Sequence, residues 1–564
     1  MLRNSAMRAL TFVVISLLAL PLLVSCASSE PTTAPALPAA PAPAVAPTAA
    51  AVPTAAGPQP TSTAVAAQPA PTVALPTATA IAAGKISYGG TLRYSGTLDT
   101  ENSLDPYYST GSGFYYTGFA VLNGLVRLAP DESILPDLAE SWQLSADSKT
   151  LTFKLRPGVK FHDGTTFDAN AVKWSFDYIL NPKNVSPRRG EVSSLIKSVD
   201  VINDLTLAIN MPQPSRPLLA QLADRAGLIV SPTAYQKLGP NFGRQPVGTG
   251  PFVFKEFLLD QRVVVVRNDA YWEKGQPYLD TIYHLVVNSV PTQFAMLRTG
   301  EVDIVEQVNP SDIPTIRANA NLKLSDPFPG RTDYLDFNLS VAPWNNIALR
   351  QAISHSIDRT RVVQVIWQGQ AIPAHTFIQS GWAHDPNLKP IAYDPVKAKA
   401  KLAEAGYPNG VKVRMATRSS SEEILQAEVY QSMMKSVGID AEIVLFSASD
   451  YNYAPNPGFG TLRTSPRVDP HNFLVRRVYS TTLAAKERGI NNAEIDKLLD
   501  EGVTVFDIAK AKPIYDRIQT ILAGDAIIVF VDWRLEYTAM STRVQNFQWS
   551  PDRFHRLRSL WLQK

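Results

Sequence analysis

Hydrophobic and polar residues alternate most regularly within residues 135–180. Between positions 151 and 155 every second residue is apolar, which is the period of a half-buried β-strand. Pro157-Gly158 predicts a turn after this strand, because proline fixes φ and glycine accepts a positive φ. Asp168 is a good N-cap for a helix whose apolar residues return at helical spacing. The pattern predicts a strand, a turn, a second strand and a helix, and it implies no catalytic residue.

The same two periodicities predict strands and helices that alternate along the rest of the chain. Strands are predicted at residues 90–94, in a hairpin over 198–211, and at 262–267, 302–304, 439–445 and 526–531. Helices are predicted at residues 292–300, 346–365, 395–406, 422–437, 492–502 and 514–524. The two glycines and the bracketing prolines of residues 246–252 predict a rigid irregular turn. This turn is not a phosphate-binding loop, because the third glycine and the lysine that such a loop needs are missing. This order of elements indicates an α/β protein.

The N-terminal region has the pattern of a leader followed by a linker. Arg3 and Arg8 precede an apolar run at residues 9–24, which is too short and wrongly flanked for a membrane span. Residues 31–84 are rich in Pro, Ala, Thr and Val and contain no charged residue. Such a composition predicts an extended stalk without a core. Order is expected to begin near Ile86.

Length, charge and cysteine content narrow the class of protein further. A chain of 564 residues predicts two or three domains. The net charge is +3, and removing the two leader arginines leaves it close to zero, so nothing indicates nucleic acid as a partner. Cys26 is the only cysteine, which excludes an internal disulfide and a thiolate metal cluster.

Several uninterrupted strings resemble one protein family. They are PDLAESW (136–142), FKLRPGVKFHDGTTFDANAVKWSF (153–176), PVGTGPF (246–252), NDAYWEKGQPYLD (268–280) and YDPVKAKAKLAEAGYPNG (393–410). All are similar to the family 5 solute-binding proteins of ABC importers, which include dipeptide-, oligopeptide- and nickel-binding proteins. In addition, Leu23-Val24-Ser25-Cys26 resembles a lipobox, which implies cleavage before Cys26 and lipidation of that residue.

The resemblance implies a two-lobed α/β fold of the periplasmic-binding-protein type II class, with an extra subdomain inserted in lobe one. The implied divisions are a signal peptide (1–25), a lipidated cysteine and disordered tether (26–85), lobe one (86–120, 233–330 and 526–564), the inserted subdomain (121–232) and lobe two (331–525). A ligand is expected between the lobes, which close on it by a hinge motion.

The residues that the resemblance implies as ligand contacts are Tyr94, Leu98, Tyr107, Asn338, Arg463, Arg467, Asp469 and Trp533. In peptide-binding members, an aspartate in the segment that resembles residues 462–470 takes the ammonium group of the peptide. Here that position holds Pro466, which cannot accept this charge, and Arg463 and Arg467 make the loop basic. One hypothesis is a ligand with an anionic group read by a guanidinium fork, and the alternative is that these arginines face solvent.

Two other ligand classes stay open. Some family members bind oligosaccharides by aromatic stacking. The candidate platforms, each of which taken singly is expected in the core more than at a ligand, are Trp344, Trp367, Trp382, Tyr451, Tyr453 and Trp533. Other members bind nickel, but the spacing of His355, His375, His384 and His471 is not that of metal ligands. We expect neither a metal nor a cofactor.

We therefore expect a solute-binding lipoprotein and not an enzyme, since no G-x-S-x-G, H-E-x-x-H or S-x-x-K motif stands in a fitting context. It is expected to be a monomer, lipid-anchored outside the cytoplasmic membrane at the cell surface or in the periplasm. Its expected task is to deliver a peptide or peptide-like ligand to ABC permease subunits that work with a separate ATPase. A sensory or adhesion lipoprotein with the same fold is the alternative.

Overall fold

The computed structural model describes residues 86–97, 103–109, 111, 113–446, 458–465 and 469–564. The expected signal peptide, Cys26 and the tether lie outside the described residues, as do Leu98, Pro466 and Arg467. Tyr451 and Tyr453 lie outside them as well.

The strands are β1 (Thr91–Gly96), β2 (Asn123–Gly124), β3 (Val126–Leu128), β4 (Ile134–Pro136), β5 (Ala139–Leu144), β6 (Thr150–Leu155), β7 (Ser198–Asn203), β8 (Thr206–Asn210), β9 (Leu228–Ile229), β10 (Phe252–Leu258), β11 (Arg262–Arg267), β12 (Thr281–Val286), β13 (Ile304–Val305), β14 (Leu322–Leu324), β15 (Phe328–Phe337), β16 (Ala371–Pro373), β17 (Val411–Arg418), β18 (Ile439–Phe446), β19 (Phe459–Thr464), β20 (Ile528–Glu536), β21 (Ala539–Ser541), β22 (Val544–Gln545) and β23 (Trp561–Leu562).

The α-helices are α1 (Gly113–Val121), α2 (Ala169–Leu180), α3 (Arg189–Val192), α4 (Leu218–Leu222), α5 (Pro232–Leu238), α6 (Val290–Thr299), α7 (Ile313–Ala318), α8 (Ile347–Ser356), α9 (Arg359–Val365), α10 (Pro395–Glu404), α11 (Ser421–Lys435), α12 (Pro470–Val478), α13 (Leu483–Glu487), α14 (Ala493–Gly502) and α15 (Ile508–Gly524). Among the described residues, no helix is both long enough and apolar enough to cross a membrane.

A seven-stranded sheet with the order β10-β11-β12-β1-β13-β21-β14 forms the centre of what we call lobe one. Strand β1 is central and runs parallel to both of its neighbours, β12 and β13. Its Leu92 and Tyr94 side chains are fully buried. Strand β21 comes from the C-terminal end of the chain and lies between β13 and β14. Lobe one is therefore discontinuous in sequence, as the resemblance implied.

A six-stranded sheet with the order β16-β20-β15-β19-β17-β18 forms the centre of lobe two. The long strand β15 pairs antiparallel with β20 on one side and with β19 on the other. Strand β17 is parallel to both β18 and β19. Apolar side chains of the helices, among them Leu349, Ile353 and Met434, pack with buried strand residues such as Met415. The two sheets with their helices form the two-lobed α/β fold.

A separate four-stranded antiparallel sheet, β5-β6-β8-β7, is built from residues 139–210. The predicted strand at 151–155 and the predicted hairpin at 198–211 are both confirmed. Asp168 caps α2 as predicted, since its carboxylate accepts from the Ala171 amide at 2.9 Å. The second strand predicted after the Pro157-Gly158 turn was wrong, because only one bridge, Lys160 to Thr166, forms there.

Other helix predictions are confirmed, with one correction to a starting point. Asp394 caps α10 through the Lys397 amide at 2.9 Å, and Gly300 ends α6 with φ of 78°. The helix predicted to start at Ile514 starts instead at Ile508, because Asp507 caps it. Pro513 lies in the second turn of this helix, where it removes one backbone hydrogen bond.

The strand predicted at residues 526–531 is present as β20, but the prediction assigned it to the wrong lobe. It was expected to open the C-terminal part of lobe one. It pairs instead with β15 and β16 inside the sheet of lobe two, where residues 528–531 are buried. The apolar run predicted a buried strand correctly, whereas its partners lie about 150 to 200 residues away and leave no local signal. The chain re-enters lobe one at β21.

The single helix predicted over residues 346–365 is broken, and this prediction was wrong. Ile357 has an extended backbone with ψ of 111°, and Asp358 then caps a new helix, α9, through the Arg361 amide at 3.0 Å. Asparagine and aspartate at the two caps, Asn346 and Asp358, thus start two short helices instead of one.

The buried Arg359 side chain explains why the break is stable. Its guanidinium donates to the carbonyls of Ser354 at 3.1 Å and Ile357 at 3.3 Å, at the end of α8. It also donates to the carbonyls of Ile391 at 2.8 Å and Phe530 at 2.7 Å. One side chain therefore supplies the hydrogen bonds that the interrupted helix would otherwise lack, and ties that helix to β20.

Replacing this guanidinium is expected to destabilise lobe two. Arg359→Met would leave several buried carbonyls without donors, and we expect the free energy of unfolding to fall by about 3 kcal/mol or more. Arg359→Lys is expected to restore little of this, since an ammonium group does not have the fork of donors. Arg361→Met, on an exposed side chain of the same helix, is the control. Urea denaturation followed by circular dichroism measures the effect, and equal stability of the Arg359 and Arg361 variants would contradict the explanation.

Candidate functional site

Four arginine side chains line a cavity of about 320 Å³ where the two lobes meet. Arg331, Arg418 and Arg463 come from strands β15, β17 and β19 of lobe two. Arg553 comes from the C-terminal segment that packs in the core of lobe one. Thr464 and Ser465 complete the lining. The volume is at the small end of the range for ligand pockets.

Strand direction brings the three arginines of lobe two to one edge of its sheet. Strands β17 and β19 are parallel and end at Arg418 and Thr464. Strand β15 is antiparallel to β19, with Asp333 opposite Arg463, so the start of β15 lies beside the end of β19. In open α/β sheets, ligands bind in the crevice outside the carboxyl ends of the strands. The cavity lies at that kind of edge.

Glu536 neutralises part of the charge on one side of the cavity. Its carboxylate lies 2.9 Å from Nε of Arg331 and 2.8 Å from Nε of Arg553. Burial alone would raise the pKa of Glu536, but Arg553 and Arg331 together hold that pKa below its ordinary value. Burial and the neighbouring Arg553 lower the pKa of Arg331 to about 10, which leaves it protonated at neutral pH.

A second group of ion pairs lies on the other side. Glu422 is 2.9 Å from Nη1 of Arg463 and 3.0 Å from Nη1 of Arg534. Arg534 also contacts Asp333 at 3.1 Å, and its guanidinium lies 3.9 Å from the ring centre of Trp367. The carboxylates hold the arginines in place, so the guanidinium groups are oriented before any ligand arrives.

The backbone at Arg553 shows that its position is imposed by the surrounding turn. This residue has φ of 71°, in the left-handed region that side chains other than glycine rarely occupy. Its amide donates to the Ser550 carbonyl at 2.8 Å, and its Nη1 donates to the Ser465 hydroxyl at 3.3 Å, across the lobe boundary. Such a conformation costs on the order of 1–3 kcal/mol and persists only where the surrounding structure holds it in place.

Direct contacts also join the residues before α4 to α12 and α15. Arg216 forms a two-point ion pair with Asp469, at 2.8 and 3.3 Å. Its guanidinium lies 4.3 Å from the ring centre of Trp382, and its Nη2 donates to the Tyr515 hydroxyl at 3.4 Å. Asp469 is only 4% exposed in its side chain. The pair is buried between the residues that precede α4 and the N-terminus of α12.

Of the predicted ligand contacts that the structure describes, Arg463 lines the cavity and the others do not. Tyr94, Tyr107 and Trp533 are buried; the Tyr107 hydroxyl and the Trp533 indole each donate to a backbone carbonyl, at 3.0 and 2.8 Å. The carbonyl oxygen of the Asn338 side chain accepts from Ser340. Their roles in ligand binding stay predictions, as do those of Asp469 and of Leu98 and Arg467.

Sequence reasoning missed Arg331, Arg418 and Arg553. Arg331 and Arg418 stand at strand ends, but their strands become neighbours only through long-range pairing that the alternation of residues does not reveal. Arg553 comes from a C-terminal turn with no recognisable motif. The signal that did exist was the basic run around Arg463, which lies at the same edge of the sheet.

Histidines in the described residues contact protein groups. His471 lies 3.0 Å from the Tyr515 hydroxyl, and burial lowers its pKa to about 4. His375 lies 3.2 Å from the Asp385 carbonyl, and burial lowers its pKa to about 4 as well. Within the part of the chain that the structure describes, no three His, Cys, Asp or Glu side chains are grouped so that they could hold a metal ion.

Comparison with known proteins decides the family. Residues 133–483 match the family model described as bacterial extracellular solute-binding proteins, family 5 Middle. The chain belongs to this family. The solute-binding proteins of this family are extracytoplasmic. They bind small ligands or peptides and work with ABC permeases.

Individual relatives agree with this assignment. The glutathione-binding protein GsiB of Pectobacterium atrosepticum is 28% identical over 469 residues, covering 80% of this chain and 90% of the relative. The structure of DppA from Helicobacter pylori with the peptide STSA has a TM-score of 0.74 at 26% identity, covering 85% and 99% of the two chains. AgaA from A. tumefacien R10, in complex with agropinic acid, has a TM-score of 0.72 at 27% identity, covering 84% and 99%.

The ion pairs of Glu536 predict a pH dependence of stability. The folded-state pKa of Glu536 is depressed, so its contribution is complete above its unfolded value of about 4.5 and is lost as pH falls through the folded pKa. Glu536→Gln removes the shared partner of two buried guanidinium groups, and we expect a loss of about 3 kcal/mol at pH 7. The difference between wild type and variant should shrink below about pH 4.

Thermal unfolding followed between pH 3 and pH 8 measures this difference. Glu494→Gln is the control, since Glu494 pairs with Arg517 at 2.8 Å on a half-exposed surface. A Glu536 variant whose melting temperature differs from wild type by the same amount at every pH would contradict the assigned role.

Proposed function

We propose that this solute-binding protein encloses a small peptide-like solute between its lobes and delivers it to an ABC permease. The observation that carries the proposal is the arginine-lined cavity, because groups from both lobes line it. A solute that contacts both lobes binds the closed state more tightly than the open one, and so shifts the population toward closure. The closed form is then what the permease recognises.

The relatives support the solute class. The related GsiB binds glutathione, and the DppA structure holds a peptide. Glutathione and peptides share an amide backbone and a carboxylate, which suits a guanidinium-lined cavity. The oligosaccharide alternative has less support, since Trp344, Trp367 and Trp533 are at most 5% exposed and none of them lines the cavity.

The N-terminal region supports a location outside the cytoplasmic membrane through a lipid anchor. Lipidated Cys26 would hold the protein at the membrane, and the uncharged stalk would set the folded lobes away from the lipid. We infer that the chain acts as a monomer without catalytic activity, beside separate permease and ATPase chains. A sensory or adhesion role would use the same capture step without transport.

Closure should depend on the ion pair between Arg216 and Asp469. In Arg216→Gln the closed state would bury Asp469 without its counter-charge, which destabilises that state by about 3 kcal/mol. The Kd for the captured solute should therefore rise about 100-fold. Calorimetry of the full-length protein with glutathione and with a tripeptide measures the Kd, and small-angle scattering follows closure. Arg244→Gln, at an exposed arginine of the same lobe, is the control.

The experiment tests the solute class and the role of the ion pair separately. If neither glutathione nor the tripeptide binds or compacts the wild-type protein, the proposed peptide-like solute is wrong. If a solute binds the wild type and the Arg216 variant equally well, capture stands but the ion pair has no part in closure.

The lipid anchor is tested by one substitution. In Cys26→Ser the sulfur that would form the thioether is replaced, so we expect the protein to lose its lipid label and to leave the membrane fraction. Growth with a labelled fatty acid followed by fractionation measures both, and Ser25→Ala is the control for leader processing. A Cys26 variant that still carries the label would contradict the assignment.

A further inference from the structure

We propose that Glu132 is a positioning residue for solute capture. Its carboxylate joins lobe one to the turn at residues 380–382 of lobe two and favours the closed form without touching the solute. This inference rests on the proposed function, since it names a residue that acts on the closure of the lobes. It concerns a separate place, because the described residues that line the arginine-lined cavity do not include Glu132.

Glu132 is attached to lobe one through the hairpin of β3 and β4. These two strands pair antiparallel, and Val126 of β3 is buried in the same apolar core as Leu92 of the central strand β1. An ion pair attaches the hairpin further, since Arg127 lies 3.1 Å from Glu273. The hairpin and the sheet of lobe one therefore form one packed unit.

The tip of this hairpin holds Glu132 in a defined backbone conformation. Glu132 has φ of 68°, in the left-handed region that residues other than glycine rarely occupy. Its amide donates to the Ala129 carbonyl at 3.1 Å. The Asp131 carboxylate accepts from the Ser133 amide at 3.1 Å and from the Ser133 hydroxyl at 2.6 Å. Such a conformation persists only where neighbouring groups hold it, so the Glu132 side chain starts from a fixed position.

The turn that receives the carboxylate is fixed to lobe two at both of its ends. Gln379, directly before the turn, is buried and donates to the Thr332 hydroxyl of β15 at 2.8 Å. Directly after the turn, the Ala383 carbonyl accepts from Gln519 of α15 at 3.0 Å. The turn is therefore part of lobe two, and its contact with Glu132 crosses the boundary between the lobes.

The Glu132 carboxylate lies directly against this turn. The Ser380 hydroxyl donates to Oε1 of Glu132 at 3.5 Å. Burial raises the pKa of Glu132, while the Trp382 amide and the Ser380 hydroxyl oppose the rise as hydrogen-bond donors. Gly381 has φ of 80°, and a Cβ at this position would overlap both carboxylate oxygens of Glu132. The approach is therefore possible because residue 381 is a glycine.

The crevice beside this contact is too small to be a solute site. Its volume is about 40 Å³, and Trp382, Phe473 and Pro551 are among the residues that line it together with Glu132. Pockets that enclose small ligands have volumes of about 300–1,000 Å³. The contact therefore acts on the lobes and not on the solute.

A contact between the lobes changes the affinity for a solute that it does not touch. The apparent Kd is the intrinsic Kd divided by the fraction of the protein that is competent to bind. A contact that exists only in the closed form therefore lowers the Kd of different solutes by the same factor. It acts on the dissociation rate constant, because the lobes must separate before the solute leaves.

A double-mutant cycle in the full-length protein tests this contact. Glu132→Ala removes the carboxylate, and Gly381→Ala places a methyl group where the carboxylate lies and so displaces it. Calorimetry with glutathione and with trialanine should show that either substitution raises the Kd about fivefold. The double variant should show the same factor and not its square, since both changes remove one contact. Stopped-flow tryptophan fluorescence should place the change in the dissociation rate constant for both probes.

Two matched controls separate the contact from general effects of the substitutions. Gly369→Ala lies in lobe two at φ of 83°, and no described atom lies within 4 Å of the place that its Cβ would take. It therefore has the backbone strain of the Gly381 variant without the contact. Glu301→Ala removes an exposed glutamate of lobe one. Neither control should change the Kd.

Small-angle scattering of the protein without solute gives a second measurement, in which the Glu132 and Gly381 variants should be less compact than the wild type. Equal Kd values for the wild type and both variants would leave the proposed function in place and contradict this inference. Effects that multiply in the double variant would contradict it as well. If neither probe binds the wild type, the proposed solute is wrong, and equal compactness of the wild type and the variants would then contradict the role of Glu132.

Discussion

The cavity depends on one constraint, which is that like-charged guanidinium groups stand close together on partly buried side chains. Such an arrangement is stable only when carboxylates lie between the arginines. Glu536 does this for Arg331 and Arg553, and Glu422 does it for Arg463 and Arg534. These ion pairs hold the guanidinium groups in place at the edge of the cavity.

The same constraint explains why the site lies between the lobes. The sheet of lobe two brings three arginines to the edge where β17 and β19 end, and the strained turn at Arg553 brings a fourth from lobe one. Under the proposed function, the buried pair of Arg216 and Asp469 favours closure, and a solute that contacts both lobes shifts the balance toward the closed form. Binding and the signal to the permease would then be one event.

Local sequence patterns predicted many of the strands and helices, but they could not predict which distant segments pair with one another. Alternation found the strand at 151–155, and capping rules found the starts of α2 and α10. The break before α9 was not predicted, because the Arg359 side chain that stabilises it donates to carbonyls that are distant in sequence. For the same reason β20 was predicted as a buried strand but assigned to the wrong sheet.

The only residue of the cavity that the sequence analysis named is Arg463, and it was named through the family resemblance. The basic run around Arg463 led to the hypothesis of an anionic ligand beside the alternative of solvent-facing arginines, and the cavity contains three further arginines that no motif marks. Their meeting depends on sheet order and on one left-handed turn, and neither leaves a trace in the local sequence. The family itself was evident from uninterrupted strings such as PVGTGPF and is confirmed by the match over residues 133–483.

The most direct test of the central claim is a crystal structure of the protein purified with the solute that it retains, with mass spectrometry of the same sample. The account predicts a small peptide-like solute between the lobes, within hydrogen-bond distance of Arg553 and of at least one of Arg331, Arg418 and Arg463. A solute seated away from these arginines would contradict it.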